Sequence, residues 1–190
     1  MNAKMKLTLT LVVLVAAVAA GILVTQGDAS RPQARLSNRG GTAVPIRGLR
    51  MKWATIKTGN VLAVRNGRAL YRLNIVGGGT CFGVGRASDI GNPGSVTCPA
   101  GGFPRTGGDP VLDFSVYEGT RHDLREFSLY RIEGLAADGV AAVEFFRPNG
   151  DVALTVPVVA NVYTAANVPK GPIAGFAAVD EGGKRIWRSP

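Results

Sequence analysis

The chain has 190 residues, room for one domain and a targeting segment but not for two full domains. It is 46% hydrophobic, with 26 Gly, 11 Pro and only 18% charged residues, a mixture that many short strands and turns produce and long helices do not. One histidine excludes a multi-histidine metal site within one chain. The net charge of +9 is uneven, with eleven basic and no acidic residues from Ala29 to Ser88, against nine basic and twelve acidic from Asp89 onward.

Leu7 to Thr25 is a run of nineteen residues without a charged side chain, preceded by Lys4 and Lys6. Cationic flanks stay in the cytoplasm while the chain behind them crosses, so this is the layout of an export segment. As an uncleaved anchor the run covers about 28 Å at ~1.5 Å per residue, close to the hydrocarbon thickness of a bilayer. As a signal peptide it offers Ala17-Val18-Ala19 as the small-x-small site, but a cut after Ala19 leaves an apolar stub, Ala20 to Thr25. We therefore expect residues 1–25 to form a transmembrane helix in a single-pass cell-membrane protein whose C-terminal domain lies outside the cytoplasm. Secretion after cleavage near Ala19 is the alternative.

Gln26 to Arg50 has no aromatic residue, few large aliphatics and five arginines, so it reads as a basic flexible linker that cannot bury enough to order itself. Arg31, Arg35, Arg39, Arg47 and Arg50 are candidate contacts to an anionic surface, either anionic lipid or an acidic wall polymer. No nucleic-acid recognition motif accompanies them, and no nucleic-acid partner is expected.

From Met51 the pattern changes to strands. Val61–Arg65 and Arg68–Val76 flank Asn66-Gly67, whose two positions suit the positive φ of a tight hairpin turn. Ala69, Tyr71, Leu73 and Ile75 alternate with Arg68, Arg72 and Asn74, the period of a half-buried strand. A second hairpin runs Val140–Arg147, turns at Pro148-Asn149-Gly150 and returns through Asp151–Val159. Pro157 has no N–H to donate, which assigns that return strand to an edge or a bulge. Further strands are expected at Lys52–Lys57, Thr80–Val84, Val111–Tyr117, Phe127–Glu133, Asn161–Thr164, Ile173–Val179 and Arg185–Trp187. Residues 51–190 then form one extracytoplasmic β domain, a sandwich or barrel.

The stretch Val76 to Gly85 is glycine-rich but lacks the Gly-Lys-Ser/Thr ending of a phosphate loop, and a bent or bulged strand explains it better. Cys81 and Cys98 are the only cysteines; export places them where oxidation is permitted, and the Gly- and Pro-rich residues between them let the loop close. A disulfide is expected, because a reactive thiol needs a cationic, exposed site that the apolar surroundings of Cys81 do not supply. Asp109, Asp113 and Glu118 match no calcium-loop spacing. His122 sits in the charged stretch Arg121 to Glu126, and no Gly-x-Ser-x-Gly nucleophile elbow is present. No metal, cofactor or catalytic set is expected.

In the second half, Gly134 to Val143 is followed by Asn149-Gly150, Val156-Pro157-Val158, Asn161-Val162-Tyr163 and Ala178-Val179-Asp180 ahead of Gly182-Gly183-Lys184. With Gly78-Gly79-Thr80-Cys81-Phe82 upstream, this resembles a loose group of uncharacterised bacterial envelope proteins with a short N-terminal membrane segment and an immunoglobulin-like β domain. The resemblance implies location and fold, and brings neither an activity nor site residues. The resulting expectation is an all-β, immunoglobulin-like or related β-sandwich behind a transmembrane helix and a flexible linker, serving as a non-enzymatic binding or structural module of the envelope. A hydrolase or transferase acting on envelope polymers through His122 and nearby carboxylates is the alternative.

Overall fold

The hairpin around Asn66-Gly67 anchors the first sheet. Its two strands, β3 (Ala54–Arg65) and β4 (Arg68–Ile75), meet at a turn whose residues have φ of 47° and 71°, as the sequence requires. The computed structural model describes residues 35–38, 40–47, 49–51, 54–118 and 128–189. Within them the first sheet runs β1 (Ala43–Pro45), β3, β4, β5 (Thr80–Arg86), β6 (Pro93–Thr97), with β2 (Arg50–Met51) pairing separately with β3. The second sheet is β12 (Val162–Ala165), β9 (Ser128–Ala136), β7 (Val111–Asp113), with β8 (Val116–Glu118) also on β9. The third is β11 (Val152–Pro157), β10 (Ala142–Phe146), β13 (Gly175–Val179), β14 (Arg185–Arg188). The fold is all-β and sandwich-like, and among the described residues no helix is long and apolar enough to cross a membrane. The expected anchor, residues 1–25, lies outside the described residues.

Alternation along each strand builds the cores. On β9, Ile132 and Ala136 pack with Val143, Phe145, Val156 and Ala178 of the third sheet. The residue between them in phase with the opposite face, Leu135, packs with Val162 against Leu62, Leu70, Phe82 and Val84 of the first sheet. The second sheet is thus the middle layer, covered on both faces. The outer face of the first sheet makes a third cluster of Ile46, Ile56, Ala69, Tyr71, Leu73 and Cys81. The alternation expected in β4 holds, but Leu70, on the arginine side, is fully buried, so β4 is covered on both faces.

Among the described residues the one charged side chain buried between layers is Glu133 of β9. Arg68 Nε donates to its Oε2 at 2.9 Å and Arg131 Nε to its Oε1 at 2.7 Å, so both oxygens are met. A buried carboxylate without such partners would be very costly.

Two expectations need correction. The described part of the Gln26–Arg50 segment is not a linker: Ala43–Pro45 forms a strand on β3, and Ile46 is buried. Upstream, Asn38 N donates to Asn161 Oδ1 at 2.8 Å, and Asn38 Nδ2 donates to Leu62 O and Ala160 O at 3.0 and 2.8 Å. Long-range hydrogen bonds order this segment where hydrophobic content alone is too low. Secondly, Lys52–Lys57 and Val61–Arg65 are not separate strands, since β3 runs unbroken through Gly59. A Cβ there would lie 2.7 Å from Leu73 Cδ2 and 3.0 Å from Arg72 O, so this glycine serves close packing rather than a turn. Pro157 closes β11, an edge strand, as its missing N–H requires.

Candidate functional site

A groove of about 750 Å³ opens beside β4 and β5, lined among others by Leu36, Arg72, Thr80, Phe82, Phe103 and Pro104. Register supplies its floor: Asn60, Arg72, Phe82 and Thr97 are successive cross-strand partners across β3, β4, β5 and β6. Opposed residues share a face, so Arg72 and Phe82 point the same way.

The far wall is the loop from Cys98 to Pro104. It is held at one end by the Cys81–Cys98 disulfide, with Cα atoms 4.2 Å apart, which extends the β5–β6 register by one pair. At the other end the Phe103 ring packs edge-on against Phe82 at 5.7 Å between centroids. Gly102 N donates to Pro99 O at 2.9 Å, and Gly101 and Gly102 take φ of 79° and 83°, which the turn needs and glycine tolerates.

Leu36 reaches the groove because its neighbours are pinned to the β9–β10 connection. Ser37 N and Oγ donate to Asp138 at 3.0 and 2.5 Å, and Asn161 Nδ2 donates to Asp138 Oδ1 at 2.8 Å. Burial alone would raise the Asp138 pKa, but the Ser37 and Asn161 hydrogen bonds, aided by the charge of Arg35, outweigh it and hold the carboxyl below its ordinary value.

The groove therefore combines a cation, a hydroxyl and aromatic edges. Arg72 is exposed and has no ion pair among the described residues, so its guanidinium fork is available to an anionic oxygen pair. Phe103, Leu36 and Pro104 offer apolar surface alongside it. The groove thus presents a hydrogen-bonding cation beside apolar surface.

The arginines singled out from the sequence are not gathered into one site. Arg31 and Arg39 lie outside the described residues, as does His122. Arg35 is exposed beside Asp138. Arg47 pairs with Asp89 and donates to Ile90 O at 3.2 Å, while Arg50 takes a strand position opposite Thr55. Arg72 was legible only as the polar face of a strand; the Cys81–Cys98 disulfide was expected and is present, but the packing of Phe103 on Phe82 that completes the cavity beside Arg72 is revealed by no local pattern. No protein-family model, curated protein or solved structure matches this chain.

Proposed function

We propose that this chain is a membrane-tethered, extracytoplasmic protein of the bacterial cell envelope whose β domain, with an immunoglobulin-like C-terminal pair of sheets, is a non-enzymatic binding module. The groove walled by the Cys98–Pro104 loop is its ligand site. The observation that carries this reading is the disulfide that fixes that wall opposite Arg72, a covalent link suited to an oxidising compartment outside the cytoplasm. The cationic flank and apolar run at Lys4–Thr25 support the same location. Envelope molecules that join an acidic group to an apolar portion match the groove's chemistry.

Three measurements test it. Thiol labelling of freshly exported protein should find no free cysteine until a reductant is added, and protease added to spheroplasts should digest the domain. The amphiphilic anion anilinonaphthalene sulfonate should bind the full chain, and Arg72→Gln should weaken that binding about tenfold, the loss of one charge-assisted hydrogen bond. Equal binding by both proteins, or two free thiols in exported protein, overturns the reading.

A further inference from the structure

At the closed end of the β3–β4 hairpin the register sets three arginines in a line. Arg65 stands opposite Arg68, and Arg68 stands opposite Arg86 on β5. Directly opposed residues in antiparallel strands share a face, with Cβ atoms about 4.5–5.5 Å apart, and like charges placed so are destabilising. The face they share is turned towards the middle sheet, because Arg68 reaches Glu133 across the gap. Arg131 joins them from β9 through the same carboxylate. Among the described residues Glu133 is the only acid paired with any of these four arginines. The row remains strongly cationic, and an anion seated there would relieve it.

A cavity of about 360 Å³ lies at this point, lined by Asn66, Arg68, Tyr130, Arg131, Ile132 and Thr164 among others. Its polar groups are already fixed in place. Glu133, fully buried, takes the Nε of both Arg68 and Arg131, and Nη2 of Arg68 donates to its Oε1 as well at 3.4 Å, so both guanidinium planes are oriented. Among the described residues only Nε of Arg131 is engaged, leaving its terminal nitrogens as donors. Thr164 Oγ1 accepts from Asn66 Nδ2 at 2.9 Å, so its own hydroxyl hydrogen is left to donate. Tyr130, 62% exposed, supplies a flat apolar edge. A buried carboxylate presetting two guanidinium forks beside a cavity distinguishes this cluster from a merely solvated basic face.

We propose that this cavity binds the phosphate group of a small polyol or sugar phosphate, as a free or polymeric unit or as a lipid headgroup. Arg131 grips the phosphate oxygens with its terminal nitrogens, a planar fork that matches them, and Arg68 adds the guanidinium edge that Glu133 leaves open. Arg65 and Arg86 add attraction from the flank, and Tyr130 covers the carbon skeleton. The volume exceeds what a bare ion needs and falls in the range of small-ligand sites.

The test uses the full chain, with glycerol 3-phosphate titrated at constant ionic strength by calorimetry and thermal unfolding. In parallel, binding to phosphatidylglycerol vesicles is compared with binding to phosphatidylcholine vesicles. The variants are R131Q and the double substitution R65Q/R86Q, which leaves the Glu133 ion pairs in place. We expect R131Q to weaken phosphate binding at least tenfold and R65Q/R86Q severalfold, while R65Q/R86Q without ligand melts no lower than wild type because repulsion is relieved. Soluble glycerol 3-phosphate binding that the variants lose supports a free or polymeric polyol phosphate. Binding confined to phosphatidylglycerol vesicles and weakened by the variants supports a headgroup. If R131Q fails to fold, R65Q/R86Q decides. Absence of binding in both arms, or binding that R65Q/R86Q leaves unchanged, overturns the proposal.

Discussion

Replacing Glu133 by glutamine isolates the electrostatic link between the first and middle sheets. The amide keeps the shape and one acceptor oxygen but removes the charge that Arg68 and Arg131 share. Breaking a buried ion pair by removing one member costs about 3–5 kcal/mol when the charge left behind stays dry. Here the side chains of Arg68 and Arg131 retain 16% and 31% of their exposure, so water reaches them once the carboxylate is neutral. We therefore expect roughly half of that cost, about 2 kcal/mol. At ~2–4 °C per kcal/mol for a unit of this size, the melting midpoint should fall by about 4–8 °C. Equilibrium urea unfolding followed by circular dichroism measures the free energy directly. Glu144→Gln is the control, because its partner Arg185 is 52% exposed and such surface pairs contribute under about 1 kcal/mol. A Glu133→Gln loss within about 0.5 kcal/mol of zero, or one no larger than that of Glu144→Gln, would refute the reasoning.

Two other outcomes follow from close contacts described above or beside them. Because the folded Asp138 pKa is depressed, its hydrogen bonds add stability that is complete above the unfolded carboxyl pKa and is lost as pH falls through the folded one. Asp138→Asn should therefore lower stability at neutral pH, and the gap from wild type should narrow on acidification; a pH-independent gap contradicts the assignment. Gly134→Ala would place a Cβ 2.2 Å from the Tyr163 hydroxyl and 2.6 Å from Leu112 O, so it should destabilise by about 3 kcal/mol or more in urea unfolding. Trimming the ring in Gly134→Ala/Tyr163→Ala cannot restore wild-type stability, since the backbone clash remains.

Local chemistry made the hairpins readable. Asn66-Gly67 and Pro148-Asn149-Gly150 are turns whose backbone demands are written in the residue types, and Pro157 announces an edge through its missing donor. Ser37 and Asn38 were illegible for the opposite reason. Their partners Asp138 and Asn161 lie more than a hundred positions away, so a composition window sees only a polar, arginine-rich segment. Glu133 misleads in the same way: between Ile132 and Gly134 it reads as the wet side of a strand, and only the covering sheet makes that side dry. The arginine row depends on pairing register, which places Arg86 beside Arg68 across 18 positions of chain. Counting basic residues along the sequence directs attention instead to Arg31–Arg50, part of which is consumed in structural contacts such as Arg47 with Asp89.

The middle sheet's double coverage bears on how the molecule can come apart. From residue 132 to 136, β9 has no solvent face through which one core could melt while the other persists, because Leu135 and Ala136 belong to different cores one step apart on the same backbone. Amide protons of residues 132–136 should thus exchange only through global opening, whereas those of β1 and β14, at sheet borders, exchange through smaller excursions. It also sets where the chain tolerates being shortened. A fragment starting at residue 51 would discard β1, Ile46 and the Asn38 contacts, stripping cover from Leu73 and Ile56. The folded unit begins well before the first readable hairpin, with the contacts of Ser37 and Asn38.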